Sequence, residues 1–137
     1  MNTLAEVMSP HGVEIPKHLE EQAEVPLISG VQRQGDVIVV PMRHGEIAGL
    51  ETVRSEGVPV VRGEAGGNTH LLVADGAVSF APAPSTRGGL ALGSLAVEKD
   101  AAAYLIHPEH GATGIAPGSY RISRQREQAE IERLVAD

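Results

Sequence analysis

The sequence predicts a small, single-domain protein that is mainly β, either a barrel or a sandwich of short strands, with an N-terminal arm and a C-terminal helix. Its 137 residues fit one domain with a modest core. The middle of the chain consists of short runs rich in Val, Leu and Ile that are separated by Gly, Pro and Asp, which is typical of strands joined by turns. Helical spacing of apolar residues occurs only at the end of the chain.

The predicted elements divide the chain into the arm (residues 1–30), the β domain (31–123) and the helix (124–137). Pro10, Pro16 and Pro26 break any helix in the arm into short pieces. Short strands at close spacing predict a barrel or a sandwich. The predicted strands are residues 36–40, 58–61, 70–73, 77–80, 95–98 and 120–123. Asp75-Gly76 lies between two of them and predicts a hairpin turn.

The low aromatic content predicts association between copies of the chain. Phe, Trp and Tyr make up 2% of the residues, so the core must be built from aliphatic side chains, which bury less area each. A small domain of this kind is commonly stabilised by a partner subunit. The predicted helix offers an apolar stripe for such a contact, formed by Ala129, Ile131, Leu134 and Val135. We therefore expect a homo-oligomer held partly by the arm and the helix.

Composition excludes several classes of function. The formal net charge of −7 disfavours binding to nucleic acid, since such binding depends largely on neutralising phosphates. The absence of Cys excludes disulfides and thiolate chemistry, so any metal must bind through His, carboxylate or water. The first residues lack the basic start and long apolar stretch of a secretory signal, and no run is long enough to cross a bilayer. We expect a soluble, cytoplasmic protein with no membrane contact.

Three histidines form the candidate site. In His107-Pro108-Glu109-His110, Pro108 supplies the φ that the second residue of a type I turn requires, so the two imidazoles can converge. His70 precedes an apolar run that a strand can carry to the same place. Three imidazoles can form an open metal site or perform acid/base chemistry without metal. Each histidine can equally cap a turn at the surface.

Further residues are candidates for supporting roles. Glu64 and Glu109 can act as a fourth ligand or as acceptors that orient an imidazole, or they are solvated carboxylates. Arg121, Arg124 and Arg126 can grip a phosphate or carboxylate with paired hydrogen bonds, or form salt bridges between subunits.

The order of the motifs resembles a family of small proteins from bacteria and bacteriophages for which no activity is established. The motifs that carry the resemblance are Gln34-Gly35-Asp36-Val37, Gly63-Glu64 with Gly67-x-x-His70, His107-x-x-His110, Pro117-Gly118-Ser119-Tyr120 and Arg124-Gln125-Arg126-Glu127. The match covers roughly residues 32–128. It supports a site at the histidines without naming a reaction.

The chain departs from the family pattern at three positions. Asn68 stands where the family has a histidine, Pro108 replaces a Glu, and Gln128 replaces a closing Tyr. Asn68 can ligate through its oxygen but is a poor ligand for zinc or iron, so this change weakens or repurposes a metal site.

Three functions from different classes follow from these observations. The first is an oligomeric β domain whose histidines bind a divalent metal, namely zinc, iron or manganese; its likeness to the cupins is an analogy of fold only. The second is a non-catalytic assembly or interaction protein, structural or accessory and phage-encoded. The third is a metal-independent hydrolase or nuclease with a histidine acid/base pair, which the acidic charge disfavours. We rank the first two nearly equal, and no small-molecule substrate is identified.

Overall fold

The computed structural model describes residues 2–43, 47–62, 69–83 and 91–124, and this part of the chain is mainly β. Its helical structure consists of one short helix, α1 (Leu4–Met8), and a 3-10 turn (Ser9–His11). The strands are β1 (Leu27–Ile28), β2 (Gln32–Gln34), β3 (Val37–Pro41), β4 (Glu51–Thr52), β5 (Val58–Val61), β6 (His70–Asp75), β7 (Val78–Pro82), β8 (Ala91–Val97), β9 (Ala102–His107), β10 (Gly111–Ile115) and β11 (Gly118–Arg124). The predicted C-terminal helix covers residues 124–137. Its first residue, Arg124, is instead the last residue of β11, and residues 125–137 lie outside the described residues.

The strands form two sheets around a shared apolar core. One sheet has the order β1-β10-β9-β6-β5 and the other the order β2-β3-β11-β8-β7-β4. The core contains Val37 and Tyr120 from the six-stranded sheet and Leu72 and Leu105 from the five-stranded sheet, all almost fully buried. Among the described strands neither sheet closes on itself, so the arrangement fits the sandwich alternative of the prediction better than the barrel.

The predicted hairpin at Asp75-Gly76 is wrong. Strand β6 pairs with β5 and β9, whereas β7 pairs with β4 and β8, so the segment between them crosses from one sheet to the other. Gly76 has a φ of +93°, and a Cβ there would lie 3.0 Å from the Cβ of Ala101. Gly76 therefore supplies the positive φ that this tight crossing between the sheets requires. A hairpin turn requires the same backbone conformation, so an Asp-Gly pair is compatible with both.

The N-terminal segment packs against the outer face of the five-stranded sheet of its own chain. Helix α1 begins with a capping box, in which the Glu6 backbone N–H donates to Thr3 Oγ1 (3.2 Å) and the Thr3 N–H donates to Glu6 Oε1 (3.0 Å). The buried apolar residues of this contact include Leu4, Val7, Met8, Val25, Val73, Tyr104 and Ile106. The segment thus gains burial within the chain itself. None of the described helices is long and apolar enough to span a bilayer.

Candidate functional site: a histidine cluster at the end of the two sheets

Strand register places His70 and His107 side by side. Leu71 pairs with Ile106 in the antiparallel β6–β9 ladder, so His70 at the start of β6 and His107 at the end of β9 are the next cross-strand neighbours. Both side chains point between the sheets, because they alternate with residues of the outer face. Their ring centroids are 4.3 Å apart, and the two residues are only 4% and 3% exposed.

The turn after β9 brings the third histidine to this pair. His107 pairs with Gly111, which leaves a three-residue turn, 108–110, and Gly111 has the positive φ (+81°) that commonly closes such a hairpin. The centroid of the His110 ring lies 4.6 Å from the ring centroid of His107 and 6.1 Å from that of His70. The His110 side chain is exposed. The structure thus brings the three sequence-predicted histidines together.

A second hairpin, from the other sheet, closes the cluster from the opposite side. Gln34 pairs with Val37, so Gly35-Asp36 is a two-residue turn with a φ of +60° at its first position, as in a type II′ turn. A Cβ on Gly35 would lie 2.9 Å from Nε2 of His110 and 3.5 Å from Cε1 of His70. Glycine therefore supplies the positive φ of this turn, and a side chain at this position would displace the exposed His110 ring.

Gln34 fixes the tautomer of His70. The Gln34 side-chain Nε2 donates to the backbone oxygen of Leu105 (2.7 Å) and to Thr113 Oγ1 (3.2 Å), which identifies Oε1 as the acceptor facing His70. His70 Nδ1 lies 2.9 Å from this Oε1 and therefore carries the proton. When His70 is neutral, its Nε2 has a lone pair available to accept a proton or bind a metal.

The surroundings keep His70 neutral. Burial, with a further contribution from the neighbouring His107 and His110, lowers the pKa of His70 to about 4 despite the opposing effect of Asp36. The Asp36 Oδ1 lies 3.8 Å from His70 Nε2, and the Asp36 side chain is 66% exposed. The lone pair of His70 thus faces a solvated carboxylate.

His107 has the opposite tautomer. Its Nδ1 accepts hydrogen bonds from the backbone N–H of Glu109 (3.0 Å) and of His110 (3.3 Å), both in the turn that follows. In the neutral ring the proton therefore lies on Nε2. His70 presents an acceptor nitrogen and His107 a donor nitrogen in the same cluster.

The remaining predicted residues are distributed unevenly. Glu109 is exposed in the turn, while Glu64, Asn68 and Arg126 lie outside the described residues. Arg121 is exposed on the outer face of the six-stranded sheet, and Arg124 lies at the end of the same strand. Within residues 2–43, 47–62, 69–83 and 91–124, no three His, Asp or Glu side chains already form a set that can hold a metal ion.

Sequence reasoning assigned no role to Gln34, Gly35 and Asp36, although they belong to a motif it quoted. Part of the signal is the placement of Gln34, a polar residue at the end of a β-rich run and directly before a Gly-Asp turn. A buried amide must satisfy its hydrogen bonds, so it is often placed against another polar group.

The fold and the site define a small two-sheet β domain with a buried histidine pair and an exposed third histidine at one end. Residues 33–125 match the family described as Domain of unknown function (DUF8820), and the chain belongs to this family. The matched range contains the three histidines together with Gln34 and Asp36. No curated protein and no solved structure is significantly similar to the chain.

Proposed function

We propose that the domain binds a divalent metal ion through Nε2 of His70, the imidazole of His110 and the carboxylate of Asp36. The observation that carries this proposal is the hydrogen bond between His70 Nδ1 and Gln34 Oε1, because it leaves the Nε2 lone pair directed toward Asp36. Histidines that bind metals nearly always donate their other ring N–H to an acceptor that fixes the ring, and Gln34 supplies this acceptor.

The lowered pKa of His70 supports the same assignment. Metal binding requires an unprotonated imidazole nitrogen, so protons normally compete with the metal near the usual histidine pKa. With a pKa of about 4, His70 needs to lose no proton at pH 7. Its buried position also holds the ring in one orientation, which reduces the entropy lost on binding.

The other two ligands are exposed and have room to turn toward the ion. Asp36 Oδ1 is already 3.8 Å from His70 Nε2, and the rings of His70 and His110 are nearly parallel, with an interplanar angle of 10°. Two imidazoles and one carboxylate suit zinc, iron or manganese and leave positions open for water or a ligand. The set closes around an ion only when these exposed side chains rotate.

His107 has a separate part in this proposal. Its Nδ1 accepts two backbone hydrogen bonds, so coordination through Nε2 would require an imidazole without any proton. His107 is therefore not assigned as a ligand of the ion. The ligand set therefore differs from three histidines in one member, Asp36 in place of His107.

Isothermal titration calorimetry of the untagged protein with Zn²⁺ and with Mn²⁺ at pH 7 tests the proposal. We expect one ion per chain, and a loss of affinity of at least about tenfold in both His70→Ala and Asp36→Asn, since each removes a ligand. His11→Ala is the matched control, because His11 lies beside Asp75, at the opposite end of β6 from His70. Absence of binding, or an equal loss in His11→Ala, would contradict the proposal.

A further inference from the structure

Arg124 projects into the space between the sheets at the end that carries the histidines. It pairs with Val37 of β3, and Ile122 two residues earlier pairs with Val39. Val37, Val39 and Ile122 all belong to the shared core. Residues two apart on a strand share a face, so Arg124 continues the inner face of β11 where the apolar core ends.

Strand pairing places Arg124 in one row with Gln34, the residue whose amide contacts His70. Gln34, Val37 and Arg124 form one row across the ends of β2, β3 and β11. Gln34 bonds to residues of β9 and β10, while at the other side of the molecule β8 contacts β5. Gln34 also contacts His70 through its Oε1, so Arg124 belongs to the row of strand ends that carries the histidine cluster.

The Arg124 guanidinium has a buried donor without a partner. Its Nε is inaccessible to solvent and makes no hydrogen bond in the described part of the chain. Leaving a charged donor buried and unpaired is costly, and such groups commonly mark a position that a ligand or ion completes. Arg121 on the same strand is a useful contrast, because it is exposed on the outer face.

We propose that Arg124 binds an oxyanion, a phosphate or carboxylate group of a small molecule, in the space beside the histidine cluster. A guanidinium binds such a group with two parallel N–H donors, and the Nε–H is one of the pair. This site goes beyond metal binding and does not depend on it, since the Arg124 Nε–H donor is present without an ion.

Binding of inorganic phosphate and of acetate, measured separately by calorimetry in the presence of a chelator, tests this inference. The chelator removes any metal, so failure of the metal proposal does not affect the result. We expect the wild type to bind at least one of the two anions, and Arg124→Gln to weaken that binding by at least about tenfold, as expected for a lost charge-assisted pair. Arg121→Gln carries the same change of charge and should bind within about twofold of the wild type.

Two further measurements separate binding from folding and from general charge. Thermal unfolding of Arg124→Gln shows whether the variant is folded, and Arg124→Lys, which keeps the charge but lacks the Nε–H, should recover only part of the affinity. The inference is overturned when the wild-type protein binds neither phosphate nor acetate. Equal losses in Arg121→Gln and Arg124→Gln also overturn it, because they indicate an effect of net charge alone.

Discussion

At the scale of single residues, the site depends on hydrogen bonds that select one tautomer for each histidine. The Leu105 backbone oxygen orients the Gln34 amide, and the amide places the proton of His70 on Nδ1. Backbone N–H groups of the following turn place the proton of His107 on Nε2. Two residues of the same type thereby acquire opposite hydrogen-bonding roles.

His70 should make stability depend on pH. Its pKa is lowered to about 4 in the folded chain, below the ordinary value of 6.5, so the unfolded chain binds the proton more readily. The free energy of unfolding is therefore greatest above about pH 6.5 and falls as the pH drops toward 4, by up to about 3 kcal/mol from this residue.

Urea unfolding at several pH values between 4 and 7.5 measures this dependence. His70→Gln should lose less stability over this range than the wild type, because the variant has no imidazole at this position to protonate. His18→Gln, an exposed control, should keep the wild-type slope. A wild-type slope in His70→Gln would show that His70 is not the group responsible.

Sequence alone identified the three histidines but not the residues that control them. The local turn at Pro108 explains why His107 and His110 converge, so that part needs only short-range geometry. Gln34 and Asp36 lie 36 and 34 residues before His70 in the chain, and their contact depends on which hairpin meets which across two sheets. That information is tertiary and is not contained in any local pattern.

At the scale of elements, the β2–β3 turn depends on a glycine for two separable reasons. Gly35→Ala places a side chain in a left-handed conformation and against His110 Nε2 at 2.9 Å. Gly12 also has a positive φ (+69°), but nothing lies within 4 Å of a Cβ there, so Gly12→Ala measures the backbone cost alone.

We expect Gly12→Ala to reduce the free energy of unfolding by about 1 to 2 kcal/mol. Gly35→Ala should cost more than that and should also weaken metal binding, because His110 must move. Denaturant unfolding and calorimetry of both variants provide the comparison. Equal losses of stability in Gly12→Ala and Gly35→Ala, with unchanged metal affinity, would mean that a side chain at position 35 does not displace the His110 imidazole.

Several predicted strands correspond to strands of the structure, while two central ones were missed for a physical reason. Strands β3, β5, β6, β7, β8 and β11 overlap the predicted runs. Strand β9 is buried at all six positions, so it shows no alternation of polar and apolar residues, and its alanines have weak strand propensity. Strand β10 contains two glycines, which also weaken the signal.

At the scale of the whole molecule, the N-terminal segment completes the burial of the five-stranded sheet. Met8 is fully buried between this segment and the sheet, whereas Met42 is 39% exposed. Met8→Ala should therefore lower the free energy of unfolding by about 2 to 5 kcal/mol through the cavity it leaves, and Met42→Ala by about 0.5 kcal/mol or less. Denaturant unfolding of the two variants checks this; similar losses would mean that the segment does not pack stably on the sheet.

This packing changes the argument for self-association. The expected homo-oligomer was to be held partly by the N-terminal arm, but Leu4, Val7, Met8 and Val25 of the arm are buried within the chain. The remaining candidates for an interface are exposed apolar side chains such as Ile28 (42%) at the end of the arm and Val31 (60%), and the residues after Arg124. A homo-oligomer stays a prediction, which light scattering can test.

The position of β11 has a consequence for the order in which the chain acquires its structure. Strand β11 is the last described strand, yet it lies between β3 and β8 and joins the β2–β3 hairpin to the β7–β8 pair. During synthesis on the ribosome, the six-stranded sheet therefore exists as two separate halves until the end of β11 has emerged. Nascent chains stopped before Gly118 should therefore remain sensitive to proteases. Arg124 joins the row of strand ends beside the histidine cluster only after translation has passed this residue.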